Sequence, residues 1–140
     1  MKRIFLLSAF IFFNRNAFAQ ENTKVPAKQF LLIVRYKSDM KTPDSRELQL
    51  NGQHWGAYLK ELSQSGKLIS GFRPSSEGMT ITGTSKTVKS GVYDKSNEIV
   101  SSVLVIKAAD TGEAESIAQK CPIYEFDGSV EIRPVMNTAN

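Results

Sequence analysis

The side chain with the clearest chemical potential in this sequence is the imidazole of His54, the only histidine among its 140 residues. Imidazole titrates closer to neutral pH than any other side chain, so it can take up or release a proton under ordinary conditions. A carboxylate beside the ring would orient it and stabilise its charged form. His54 is therefore a candidate general acid or base. The alternative is a partly exposed histidine that bonds to a neighbour and has no catalytic duty.

His54 lies in a segment that is expected to form a helix, beginning near Asp44 or Ser45 as the N-cap and ending at Gly66. Residues at spacings of 4, 3, 4 and 3 form a stripe typical of a buried helix face, with Trp55 as a core anchor. This predicted buried stripe contains Leu48, Gly52, Trp55, Leu59 and Leu62. A neighbouring border stripe contains Asn51, His54, Tyr58 and Glu61.

Soft metal ligands are scarce, because the sequence has a single cysteine and a single histidine. A zinc site needs several such side chains, so no metal site is expected. Cys121 continues a helical stripe with Ala114, Ile117 and Ala118, and this spacing predicts a small buried side chain rather than a reactive thiol. The sequence also has neither a phosphate-binding glycine loop nor a nucleotide fingerprint, so no cofactor is expected.

The N-terminal segment has the form of a secretory signal peptide. A basic start at residues 1–3 is followed by an apolar run at 4–13 and by Ala17-Phe18-Ala19, a small-x-small site for signal peptidase. We expect cleavage after Ala19, a flexible leader at 20–28, and export to the periplasm or the medium. The apolar run is shorter than the roughly 20 residues of a transmembrane helix, so no stable membrane anchor is expected after cleavage.

Net charge argues against a nucleic-acid partner. The whole chain carries 18 basic and 14 acidic side chains, and loss of Lys2, Arg3 and Arg15 with the signal peptide leaves 15 against 14. The remaining cations are scattered among acids, without the basic patch that nucleic-acid binding requires. The 121 residues that remain suit one ordinary domain with its own core.

The order of the predicted elements indicates an α+β, ferredoxin-like sandwich. Apolar runs at 30–34 and 99–106 predict two central strands, each followed by a helix, and residues 79–82 and 86–91 predict an extra hairpin between the two halves. Both helices of this architecture cover the same face of the sheet. Because both predicted central strands are apolar on both faces, we expect a second copy to cover the other face, as a homodimer.

The chain resembles the YCII-related family, including its DGPF-type branch, over about residues 29–136. The resemblance lies in residues 54–62, 65–71, 98–100, 114–122 and 129–135. It implies a dimeric α+β barrel, in which two ferredoxin-like sheets pack face to face around a cleft. The domain is thus expected at 29–136, with a tail at 137–140.

Some members of the family have a histidine in the first helix and an aspartate after the second strand as an acid/base dyad. His54 stands 17 residues before Gly71, like the family histidine, and Glu77 falls near the position of the aspartate. The motif that names the DGPF branch is degraded here, at residues 90–93.

Two functions follow as hypotheses. The first is an exported module that binds a small ligand in the dimer cleft. The alternative is a small-molecule enzyme that uses His54 as its acid or base and Glu77 as the orienting carboxylate. In either case Tyr58 and Arg73 are the candidate ligand contacts.

Overall fold

The structure is a computed structural model that describes residues 27–93 and 96–136. The predicted signal peptide at 1–19, all but the end of the predicted leader at 20–28, and the predicted tail at 137–140 lie outside these residues.

The described residues form a mixed α+β fold with two helices and a four-stranded antiparallel sheet in the order β2-β5-β1-β6. Strands β3 and β4 form a separate hairpin inserted between the two halves, at the position that the sequence predicts. The strand order is compatible with a ferredoxin-like fold. The elements are β1 (Lys28–Lys37), α1 (Ser45–Gln64), β2 (Leu68–Phe72), β3 (Met79–Thr82), β4 (Thr87–Ser90), β5 (Glu98–Ala108), α2 (Thr111–Ala118), a 3-10 helix (Pro122–Phe126) and β6 (Ser129–Pro134).

The ends of α1 follow from local capping chemistry. The Asp44 carboxylate accepts hydrogen bonds from the amides of Arg46 and Glu47, each at 2.8 Å, and the Glu47 carboxylate accepts one from the Asp44 amide at 2.8 Å. This reciprocal pair satisfies amides that have no partner within the helix. Gly66, at φ 67°, takes the left-handed conformation that ends many helices. Both predicted ends of the helix are confirmed.

The buried face of α1 differs from the predicted stripe. Asn51, Tyr58 and Leu62 are its buried residues, whereas Leu48 is 51% exposed and Gly52 is also exposed. The prediction that Leu48 and Gly52 face the core is therefore wrong. Asn51 and Tyr58 can be buried because their polar atoms have hydrogen-bond partners in the core. A pattern of apolar residues does not indicate such partners.

The predicted buried stripe of α2 is confirmed. Ala114, Ile117, Ala118 and Cys121 are all buried, and the Asp110 carboxylate caps the helix by accepting from the Glu113 amide at 2.9 Å. Burial raises the pKa of the Cys121 thiol to about 11, so the thiol stays protonated at neutral pH. Cys121 is thus a small buried side chain rather than a nucleophile.

Strands β1 and β5 present alternate residues to the two sides of the sheet. Phe30, Leu32 and Val34 are buried beneath the helices, and Leu32 pairs directly with the buried Leu104. The other side of the sheet has no helix on it among the described elements, and we call it the open face. The open face is formed by Leu31, Ile33, Arg35, Phe72, Val100, Val103, Val105, Glu131 and Arg133.

A bulge in β5 changes which residues reach the open face. Val34 pairs with Ser102 and Arg35 pairs with Val100, so Ser101 is the extra residue. Simple alternation puts Val100 on the side opposite Val103. The bulge instead places Val100 beside Arg35 on the open face and turns Ile99, which pairs with Tyr36, to the helix side. Val100 thus takes the place on the open face that simple alternation gives to Ile99.

Glycines at two positions give a test of this fold. A methyl group on Gly128 would lie 2.5 Å from the Arg35 carbonyl and against the Ile123 side chain. We expect Gly128→Ala to lower the free energy of unfolding by about 1–3 kcal/mol.

Gly52 lies inside α1, and a methyl group added there would have no atom within 4 Å. Gly52→Ala should therefore raise the free energy of unfolding by about 0.5–1 kcal/mol. Urea unfolding measures both, and a tolerated Gly128→Ala would contradict the close approach of β1.

Candidate functional site

A cluster of three polar side chains joins α1 to the 3-10 helix, and we call it the polar cluster. His54 Nδ1 lies 2.7 Å from Glu125 Oε1. Asn51 Nδ2 donates to Glu125 Oε2 at 3.0 Å and to the Pro122 carbonyl at 3.0 Å. Asn51 and His54 are three residues apart on α1 and therefore share a helix face. Pro122 starts the 3-10 helix, which places Glu125 above that face.

The geometry of the polar cluster sets the tautomer of neutral His54. The ring donates its Nδ1 proton to the Glu125 carboxylate, and this leaves Nε2 as the acceptor. In the protonated ring both nitrogens donate. Such an arrangement is chemically able to act as a general base. The pair is nonetheless exposed, with 57% of the His54 side chain and 41% of the Glu125 side chain open to solvent. An ion pair at this exposure contributes only about 0–1 kcal/mol.

A surface groove of about 450 Å³ lies beside the polar cluster. Its wall comes from the loop between β1 and α1 and from the end of the 3-10 helix, including Glu125. His54 does not line the groove, and Lys37 is neutralised there by its ion pair with Asp127. The groove therefore meets the carboxylate of the cluster but not the imidazole.

Glu77 lies apart from this arrangement. It is exposed in the loop that follows β2, where its amide donates to Ser75 Oγ at 3.1 Å. Among the described residues no hydrogen bond or ion pair connects Glu77 to His54. The carboxylate beside the imidazole is Glu125, which the sequence analysis did not consider. The available signal was Pro122, because a proline that closes one helix can also begin the next turn.

Tyr58 and Arg73, the candidate ligand contacts, occupy different environments. Tyr58 is 6% exposed, and its hydroxyl donates to the Ile117 carbonyl at 3.2 Å. Burial raises the pKa of this hydroxyl. The Tyr58 and Trp55 rings pack edge to face, with their centroids 5.9 Å apart. Tyr58 therefore connects α1 to α2 within the core. Arg73 is exposed directly after β2, where a ligand could reach it.

The open face of the sheet is the second candidate site. Its centre is apolar, and its β6 edge has two ion pairs on one carboxylate. Arg35 Nη2 lies 2.6 Å from Glu131 Oε2, and Arg133 Nε lies 2.9 Å from Glu131 Oε1. A cleft of about 540 Å³ adjoins this edge, and we call it the edge cleft. It is lined by Leu31, Ile132, Arg133, Pro134, Val135 and Met136.

In residues 27–93 and 96–136, which the structure describes, no three side chains of the His, Cys, Asp or Glu type are grouped so that they could hold a metal ion. Neither helix in that part of the chain combines the length and the apolar character that spanning a bilayer would need.

The carboxylate of the polar cluster makes the fold sensitive to acid. The hydrogen bond from Asn51, aided by His54 and opposed by burial, holds the pKa of the Glu125 carboxyl below its ordinary value. The ionised Glu125 carboxylate therefore stabilises the fold at pH values above the ordinary pKa of a glutamate. This stabilisation is lost as the pH falls through the lowered pKa of Glu125. We expect the melting temperature to fall less between about pH 6 and about pH 3 in Glu125→Gln than in the wild type.

Circular dichroism melts over that pH range measure this effect. The matched control is Glu77→Gln, because the Glu77 carboxylate makes no ion pair among the described residues. Equal acid sensitivity of the wild type and Glu125→Gln would show that the contact does not persist in solution.

Comparison with known proteins agrees with the fold. The family model for the YCII-related domain matches residues 29–139, from the start of β1 to beyond β6. A search of curated proteins found none that matches the chain. The matched region spans most of the chain and contains both candidate sites. The chain belongs to the YCII-related family.

Proposed function

We propose that this protein is an exported homodimer that binds a small ligand in a cleft at the open face of its sheet. The observation that carries the proposal is the apolar centre of that face, on β1 and β5, over which no described element packs. Leu31, Ile33, Val103 and Val105 are each only partly buried there, and Phe72 is 63% exposed at the rim. A contiguous exposed apolar area of this kind marks an interaction site.

A second copy of the chain is the occupant that fits this face. A two-fold axis brings the same patch of each copy together, so an apolar patch meets an apolar patch. The resemblance to the YCII-related family implies the same arrangement, a dimeric α+β barrel with two sheets packed face to face about 10 Å apart. The charged edge at β6 would then lie at the rim of the interface, partly covered by the second sheet.

The edge cleft supplies the ligand site of this proposal. Its volume of about 540 Å³ falls within the range of small-molecule sites. The lining is mainly apolar, with one polar side chain, Arg133, to orient a ligand. Specific ligand sites generally combine an apolar wall with few polar groups in this way. No cofactor forms part of the proposal.

The alternative, an enzyme with His54 as its acid or base, is not proposed. The imidazole lies on the helix side of the sheet, away from the open face, and its carboxylate partner holds the 3-10 helix against α1. An exposed pair that joins two elements is accounted for by that structural role. Membership of the DGPF-type branch stays a prediction that depends on residues 90–93.

Two aspartate substitutions on β5 test the dimer. Val103 lies on the open face, whereas Leu104 is 4% exposed beneath the helices. Val103→Asp should give a folded monomer, because the carboxylate would be buried only in the dimer. Leu104→Asp should not fold, because burial of an unpaired charge costs several kcal/mol, comparable to the stability of a domain.

Light scattering with circular dichroism measures both outcomes. The wild type should have twice the mass of the chain, and Leu48→Asp, at an exposed position of α1, is the matched control that stays dimeric. A wild type that is monomeric at micromolar concentration contradicts the dimer.

Export is tested at the N-terminus. The basic start, the apolar run at 4–13 and the Ala17-Phe18-Ala19 site support cleavage before Gln20. N-terminal sequencing of exported protein should therefore begin at Gln20, and Ala19→Arg should leave the precursor uncut because the site requires a small residue. A protein that keeps Met1 and stays in the cytoplasm would end this part of the proposal.

A further inference from the structure

We infer that the edge cleft selects small molecules with an apolar body and one anionic group, which Arg133 binds. This inference rests on the proposed function, because it names the class of ligand for the same cleft. The observations behind it are the charge balance of the β6 edge, the exposure of its two arginines and the composition of the cleft wall.

The β6 edge carries one positive charge in excess. Both oxygens of Glu131 are engaged, Oε2 by Arg35 and Oε1 by Arg133. Glu131 is the one carboxylate that pairs with either arginine among the described residues. Two guanidinium groups thus share a single carboxylate. The hydrogen bond from Arg35 holds the pKa of the Glu131 carboxyl below its ordinary value, so that carboxyl is ionised at neutral pH.

Arg133 is the arginine whose remaining N–H groups can donate hydrogen bonds to a ligand. Its side chain is 65% exposed, compared with 23% for Arg35, and it meets Glu131 through Nε. A guanidinium has five N–H donors in a planar fork, so one ion pair leaves donors free for a second anion. Arg35 is the more enclosed partner, and it keeps Glu131 in place.

Arg133 is also the charged residue of the edge cleft, whose other lining residues are apolar. A ligand that enters the cleft from the open face therefore places an apolar body against Leu31, the β1 residue that pairs with Arg133, and a negative group beside the guanidinium. Lys107, on the same side of β5 and paired with Gln29, adds a positive charge near this end of the sheet. A neutral or cationic ligand would leave the excess charge without a partner.

The proposed dimer strengthens this selection. A second sheet over the open face removes water from the neighbourhood of the two arginines, and an uncompensated charge becomes more costly as it is desolvated. A bound anion compensates that charge. Ion pairing is also stronger where water is partly excluded, so the contact with Arg133 gains from the same change.

Two fluorescent probes with similar rings test the inference on the mature protein. 8-Anilinonaphthalene-1-sulfonate has an apolar body and one sulfonate, and N-phenyl-1-naphthylamine has the apolar body alone. The wild type should bind the sulfonate probe more tightly than the neutral probe. Arg133→Gln should weaken sulfonate binding about tenfold or more, the loss expected for one charged hydrogen bond, and should leave the neutral probe unchanged.

Two further variants complete the test. Glu131→Gln leaves both guanidiniums without a carboxylate, so it should tighten sulfonate binding and leave the neutral probe unchanged, whereas a loosened fold would bind both probes more strongly. Arg46→Gln, on the first turn of α1, is the matched control that should change neither affinity. Circular dichroism and light scattering confirm that each variant is a folded dimer.

The outcomes separate this inference from the proposed function. If both probes bind the wild type and Arg133→Gln affects neither, the cleft binds apolar molecules and the anionic selection is overturned. Weaker sulfonate binding in Glu131→Gln overturns it as well. If neither probe binds the wild type, the ligand-binding function fails and this inference fails with it.

Discussion

The structure depends on the constraint that a sheet with both of its helices on one side buries only one of its faces. In this protein α1 and α2 pack over Phe30, Leu32 and Ile106, and these residues form a closed core. The same strands carry apolar residues on the opposite side, as their continuous apolar sequence requires. The proposed dimer and its ligand cleft both follow from that uncovered side.

Local chemistry made much of the fold predictable from the sequence. The ends of α1 follow from Asp44 and Gly66, whose side-chain and backbone preferences act over a few residues. The hairpin at β3 and β4 and the order of the elements follow in the same way from turn residues and strand patterns. Each of these features is encoded within a short segment, so it can be predicted without knowledge of the folded structure.

Features set by tertiary contacts could not be predicted in this way. Asn51 is buried because it donates to the Pro122 carbonyl, 71 residues away in the chain, and a periodicity of apolar residues excludes such a side chain from the core. The bulge at Ser101 depends on pairing with β1. Glu125 meets His54 only because the 3-10 helix packs on α1. The sequence thus indicates His54 as a chemically notable side chain but does not indicate its carboxylate partner.

The most direct test of the account measures whether the open face is covered in solution. Hydroxyl-radical footprinting over a dilution series reports the exposure of Phe72, on the open face, and of Tyr124, which is 45% exposed on the 3-10 helix. The account predicts slow oxidation of Phe72 at high protein concentration and faster oxidation as the dimer dissociates, with Tyr124 unchanged. Oxidation of Phe72 that is fast and independent of concentration would contradict it.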